Sequence, residues 1–191
     1  NRVYQSGMQQ RSEYAGRFRT TCDYVRNGRI GQLKEVYTYR EPGCFYLQNW
    51  TSDHGVPEDP NFDWDLWCGP LPKRPFPGEA GHTLDGFFIG DVNWSPHHFD
   101  IVHWTINPDE KTPVEIICEP HSSGNPNQAK IHYKFANGVI AHGARYDGEA
   151  IGDDGGAVFV GTEGRIAVDR GHLVSYPGTI LNEPLRPGDS R

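Results

Sequence analysis

A chain of 191 residues with 36% hydrophobic and 23% charged side chains is long enough for one domain with a real core and too apolar to be disordered. Its net charge of −7 argues against a nucleic-acid surface, which needs clustered Lys and Arg, and no apolar run approaches the length that spans a bilayer. Gly 23 and Pro 15 assign much of the chain to loops, and no signal peptide, internal repeat or low-complexity tract is visible. The chain opens at Asn1 with residues that read as the middle of a protein, so the expectation is one domain, 1–191, of a longer protein, with the cytoplasm and the periplasm both open as compartments. Four cysteines (Cys22, Cys44, Cys68, Cys118) lack C-x-x-C spacing, which argues against zinc held by thiolates. Free, mostly buried thiols are the plain expectation, and a disulfide such as Cys44–Cys68 stays open.

In chain order, Arg2–Gln5 is a short extended piece. Ser12 can cap a helix from about Glu13 to Asn27, with Tyr14, Phe18, Cys22 and Val25 at helical spacing and Gly28 as its stop. Arg17, Arg19 and Arg26 are expected on its solvated side. Leu33 to Tyr39 reads as a strand with Leu33, Glu35, Tyr37 and Tyr39 on one side. Residues 41–90 are mostly irregular, apart from a helical turn at Asp63–Trp67, and a loop this long inside a domain is usually functional or wraps a neighbour. Its aromatic residues, Trp50, Trp64 and Trp67 among them, can stack on a sugar ring or simply pin the loop. A helix from about Pro96 to Ile106 comes next. Then come a strand at Val114–Glu119, a hairpin joining Ala129–Phe135 to Val139–Tyr146 through Asn137-Gly138, a second hairpin around Gly161–Gly164, and short strands near Val174 and Ile180. Consecutive hairpins with two helices imply an α+β layer: a large, mostly antiparallel open sheet with helices packed on one face.

Chemistry concentrates between Ile89 and Trp104. Ser95 followed by Pro96 reads as an N-cap and first helical residue. His97 then sits in the first turn, one turn from Asp100 on the same side of the helix. Asn93 lies just before the cap. A helix N-terminus disfavours imidazolium, so His97 suits the role of a neutral general base. Two other readings stay open: His97, Asp100 and His103 as metal ligands, although His97 and His103 do not share a face as i, i+4 ligands do, and all three as hydrogen-bonded structural residues.

Four stretches in order carry a resemblance: 5–12 with 27–36 (QSGMQQRS and NGRIGQLKEV), 62–70 (FDWDLWCGP) with Arg74-Pro75-Phe76, 93–101 (NWSPHHFDI), and 159–166 (FVGTEGRI) with Asp169-Arg170-Gly171. Together they resemble the second domain of the Gfo/Idh/MocA oxidoreductases, the family of glucose–fructose oxidoreductase and inositol 2-dehydrogenase. The third stretch is similar to that family's D-x-G-x-H-x-x-D segment. The resemblance implies a dihydrodipicolinate-reductase-like C-terminal domain following an N-terminal Rossmann domain that binds NAD or NADP. It implies a sugar, cyclitol or related small molecule as substrate, and homo-oligomers formed through the sheet face. It places His97 at the catalytic histidine. Asn93 is expected beside it, and Asp91, Trp94, Asp100, Trp50, Trp64 and Arg11 are expected at the substrate. No metal, nucleic acid or membrane is expected.

Two departures stand out. The Rossmann domain, with its G-x-G-x-x-G and E-K-P motifs, is absent from this chain, so a dinucleotide is not expected to bind here in the family manner. The carboxylate four residues before the histidine is replaced by Asn93, which orients a hydroxyl but cannot accept its proton near neutral pH. The alternatives are a non-catalytic carbohydrate-binding or oligomerisation module, and a metal-dependent lyase or isomerase using His97, Asp100 and His103.

Overall fold

A computed structural model describes residues 2–3, 7–38, 59–69, 76, 95–106, 112–124, 130–147 and 156–189. In chain order its main elements are α1 (Arg17–Arg26), β1 (Leu33–Thr38), α2 (Trp64–Cys68), α3 (Ser95–Thr105), β2 (Glu115–Glu119), β3 (Lys130–Lys134), β4 (Ile140–His142), β5 (Ala157–Gly161), β6 (Arg165–Val168) and β7 (Leu173–Tyr176). The strands form one sheet in the order β2-β3-β4-β1-β5-β6-β7. Every pairing is antiparallel except the central β1–β4 pair. This is the α+β layer that the run of hairpins implies. Among the described residues no helix is long and apolar enough to cross a membrane.

The core lies between the sheet's inner face and two helices. Phe18, Cys22 and Val25 of α1, and Ile101 and Val102 of α3, pack on Val36, Ala141, Phe159, Ile166 and Val168. Alternation along each strand directs these residues inward and their neighbours to the outer face. In β1 the alternation is interrupted. A register shift between Leu33 and Glu35 against β5 brings Leu33 onto the core alongside Val36, while Glu35 and Tyr37 face outward. The expected grouping of Leu33 with Glu35 and Tyr37 is corrected by this bulge, which inserts one residue and reverses the facing of the rest of the strand.

The first helix also starts later than its apolar spacing predicts. Tyr14, Ala15 and Gly16 all have positive φ, at 57°, 53° and 71°. Three left-handed residues in succession cannot belong to a right-handed helix. Two 3-10 turns, Gln9–Arg11 and Tyr14–Gly16, occupy the segment instead, and Gly16 rather than Ser12 is the N-cap residue of α1. The C-terminus is as expected. Gly28 is left-handed, its N–H bonds the Val25 carbonyl at 3.0 Å, and the Arg29 N–H bonds that of Tyr24 at 3.0 Å, a Schellman motif. Arg17 is not simply solvated, for it donates to the Tyr14 carbonyl at 2.8 Å. The segment around Ile180 is a 3-10 turn, Gly178–Asn182, that lays Ile180 and Leu181 on the core instead of adding a strand.

Two of the motif stretches close on each other. The β5–β6 turn donates from the Thr162 and Glu163 N–H groups to the Gln32 and Ile30 carbonyls at 3.0 and 2.9 Å. A Cβ on Gly161 would run into the Ile30 carbonyl oxygen, and one on Gly31 into the Thr162 hydroxyl. Glycine at both places is what lets the two backbones approach. Of the cysteines, Cys22 and Cys68 are free and buried, so the Cys44–Cys68 pair is not formed, and Cys118 is disulfide-bonded rather than a free thiol.

Candidate functional site

The helix α3 runs Ser95–Thr105, so Ser95 is its first residue rather than the N-cap, and Pro96 follows in the first turn where a missing N–H costs nothing. Its inward side is made of His98, Ile101, Val102 and Thr105. His98 is fully buried and its Nδ1 lies 3.0 Å from the Gly156 carbonyl, so this imidazole ties the helix to the start of β5. Thr105 donates to the Ile101 carbonyl at 2.7 Å and stands 3.0 Å from the Cys22 sulfur. Burial pushes the Cys22 thiol up to about 12, which makes it an inert packing group between α1 and α3.

His97 and Asp100 lie half-buried on another side of the helix. Arg11, arriving from the 3-10 turn Gln9–Arg11, grips Asp100 with two parallel bonds, Nε to Oδ2 and Nη2 to Oδ1, both 2.7 Å. Its guanidinium also lies 5.1 Å from the Trp104 ring centroid. Hydrogen bonding to Asp100 raises the Arg11 pKa further above its ordinary value. Arg11 and Asp100, both expected at the substrate, meet each other across 89 positions of chain. Their charges neutralise one another, so in this state they brace the first turns of α3. Next to Arg11, Gln10 buries its side-chain amide with no hydrogen-bond partner among the described residues.

His103 is exposed and meets the Phe135 ring edge-to-face at 5.9 Å. With Asp100 held by Arg11, the set His97, Asp100 and His103 is not assembled around a common point. Among the described residues no group of three or more His, Cys, Asp or Glu is arranged to hold a metal. Trp64, expected against a sugar ring, is buried beside Trp67 at 4.6 Å and Phe76 at 5.3 Å in a small cluster of its own. Asp63 caps α2 by accepting from the Leu66 N–H at 2.9 Å. Asn93, Asp91, Trp94 and Trp50 lie outside the described residues.

A second polar cluster, which sequence reasoning missed, occupies the sheet's outer face. His132 of β3 pairs with His142 of β4, and their Nδ1 atoms are 2.8 Å apart. The His142 ring stacks on Tyr37 at 4.4 Å, and Tyr37 meets Tyr146 edge-on at 5.0 Å. Tyr37 donates to Glu35 at 2.9 Å, and burial together with that bond pushes its phenol up to about 12. Burial, then the neighbouring His132, lowers the His142 pKa. These groups border a cavity of about 400 Å³ that also takes in Glu119, Lys130 and Arg145. The readable signal was the Asn137-Gly138 turn, which sets the register that puts His132 opposite His142.

No family model matches the chain, and no curated protein matches it. Solved structures do align with it. One is a Thermotoga maritima protein described as an oxidoreductase, at TM-score 0.43 and 19% identity over 86% of this chain and 43% of that one. Another is the WlbA dehydrogenase of Bordetella pertussis, solved with NADH and UDP-GlcNAcA, at TM-score 0.42 and 12% identity over 97% of this chain and 52% of that one. A third is an inositol dehydrogenase homologue of Azotobacter vinelandii, solved with NADH and myo-inositol, at TM-score 0.38 and 12% identity over 93% and 46%. The chain spans about half the length of each.

Proposed function

We propose that this chain is the substrate-binding and oligomerisation domain of an NAD(P)-dependent oxidoreductase acting on a sugar, a cyclitol or a related polyol, with His97 as the proton carrier. The observation that carries the reading is the start of α3. His97 sits there one turn from Asp100, and Asp100 is fixed by the forked bond to Arg11. Such bracing is what a proton-transferring side chain needs, because general catalysis depends on holding the base within hydrogen-bond reach of the hydroxyl it serves. The sequence likeness of residues 93–101 to the D-x-G-x-H-x-x-D segment supports the same assignment. In this reading Asn93 orients the substrate hydroxyl and leaves the proton to His97.

Among the described residues nothing fits a dinucleotide in the family manner: the sequence holds no G-x-G-x-x-G, and the parallel strands β1 and β4 are joined through α2, α3, β2 and β3 rather than by a single helix. The nicotinamide that takes or gives the hydride is therefore held outside them. Association of two copies through the outer face of the sheet belongs to the same proposal. Ile117 and Tyr176 are exposed there, beside charges of both signs such as Glu115, Lys134 and Arg165, a mixture that suits a self-complementary contact.

The test uses the protein as its source encodes it. NAD- or NADP-linked turnover of a panel of polyols should fall about 100-fold or more in His97→Ala, with the melting temperature kept. Turnover unchanged by that substitution overturns the role of His97, and absence of nicotinamide-linked turnover with any polyol overturns the oxidoreductase reading.

A further inference from the structure

The His132–His142 pair has a property that neither residue has alone. An imidazole nitrogen either carries a proton or offers a lone pair, and two Nδ1 atoms at 2.8 Å can share only one proton between them. On the far side of His132, the Glu119 carboxylate stands 3.4 Å from Nε2, close enough for its charge to favour a proton on that nitrogen, although Nε2 makes no hydrogen bond among the described residues. His132 then presents its Nδ1 lone pair, and His142 donates from Nδ1. The remaining nitrogen, His142 Nε2, is buried and has no hydrogen-bond partner among the described residues.

A first added proton is tolerated. One N–H still lies between the two Nδ1 atoms, provided the ring that gives up its Nδ1 proton carries one on Nε2 instead. A second proton puts two N–H groups head-on at 2.8 Å, with two positive charges on adjacent rings. The surroundings do not remove that conflict. Glu119 from β2 and Glu35 from β1 favour the charged form of His142, but burial and His132 outweigh them. Lys130 and Arg145 add positive charge at the cavity, Asp147 adds one negative charge, and Tyr37, its phenol pushed up to about 12, stays neutral near pH 7.

We propose that Glu119, His132 and His142 form an acid-released latch across the outer face, closed while the histidine pair holds at most one added proton and open when both imidazoles are charged. Closed, the latch joins β3 to β4 through their side chains and keeps the His142 ring on Tyr37. Opening it turns that ring away and widens the cavity bordered by Lys130, Arg145 and Tyr146. The sign comes from the lowered His142 pKa. Its contribution to stability is complete above about 6.5, the ordinary imidazole value, and is lost as the pH falls through the lower folded value.

The test is a nitrogen-15 NMR titration of the imidazoles from pH 8 to pH 4.5, with the Tyr37 ring-current shift on His142 read in the same spectra. The expected result is a proton on Nε2 of His132 at pH 8, two coupled steps for the pair, and loss of the Tyr37 shift at the second step. His132→Gln removes the charged neighbour and should move the His142 midpoint upward, towards 6.5. Should that variant not fold, Glu119→Ala serves instead, and it should leave His132 as a mixture of tautomers. Two imidazoles titrating independently in the wild type, or a His142 midpoint unmoved by His132→Gln, overturns the latch.

Discussion

Against α1 and α3 the sheet offers aliphatic and aromatic carbon: Val36, Phe159, Ile166 and Val168 are fully buried there. On the opposite face of the same strands, a line of rings and one guanidinium runs from β3 to β7. It passes from His132 to His142 at 4.9 Å, on to Tyr37 at 4.4 Å and Tyr146 at 5.0 Å, then through Arg165 to Tyr176. The contacts of these four side chains contain nothing that titrates, and the one imidazole on the inward side of α3, His98, bonds a backbone carbonyl. The outer contacts depend on the charge of two imidazoles and a guanidinium. One sheet thus has a face that fixes the fold and a face whose contacts respond to conditions.

The sharpest way to break that contrast is to cut into the inner face. Phe159 is completely buried in mid-sheet, and Phe159→Ala is expected to cost about 3–5 kcal/mol, measured by urea denaturation. The loss should be nearly the same at pH 5.5 and pH 8, because no ionisable group is removed. A loss that changed strongly with pH would mean that the two faces are not separate. A smaller effect is expected where the β5–β6 turn clasps the segment before β1. In Gly161→Ala the new Cβ meets the Ile30 carbonyl, which is backbone and already accepts from the Glu163 N–H at 2.9 Å. Something must shift, at about 1–3 kcal/mol. Amide exchange should quicken at Thr162 and Glu163 before it does in β6, and unchanged exchange there would mean that the clasp holds nothing.

These two sites also mark how far the sequence could be read. The hairpins were legible because their turns are local chemistry: Asn137-Gly138 and Gly161–Gly164 declare themselves without any tertiary information. The stop of α1 at Gly28 was legible for the same reason. Its start was not, because helical spacing of Tyr14 and Phe18 continues through residues whose backbone is left-handed. The bulge at Leu33 was hidden because register belongs to a pair of strands and not to one. At the candidate site, His97 and Asp100 could be placed on one side of a helix from spacing alone. The partner of Asp100 could not, since Arg11 comes from 89 positions away. The histidine pair lay between these cases. Its register was implied by the turn, but the 2.8 Å contact needed Glu119 and Tyr37 from two other strands to make it meaningful.

The smallest expected effect tests the outer face at the end of its line. Arg165 lies with its guanidinium carbon 3.9 Å from the centroid of Tyr176 and 5.7 Å from that of Tyr146. In a single copy both tyrosines are partly open to water, Tyr176 at 42%, so the ring–cation attraction is screened and Arg165→Ala should cost that copy about 0.5–1 kcal/mol. Arg165→Lys keeps the charge but loses the flat face that stacks, and should recover only part of that loss. The comparison is informative because the inner neighbour of Arg165 on the same strand, Ile166, is fully buried. If Arg165→Ala cost as much as a core truncation, the outer line would be holding the fold rather than resting on it. The division of labour between the two faces would then have to be abandoned, whereas a small loss that shrinks further in salt fits a surface array whose strength is electrostatic.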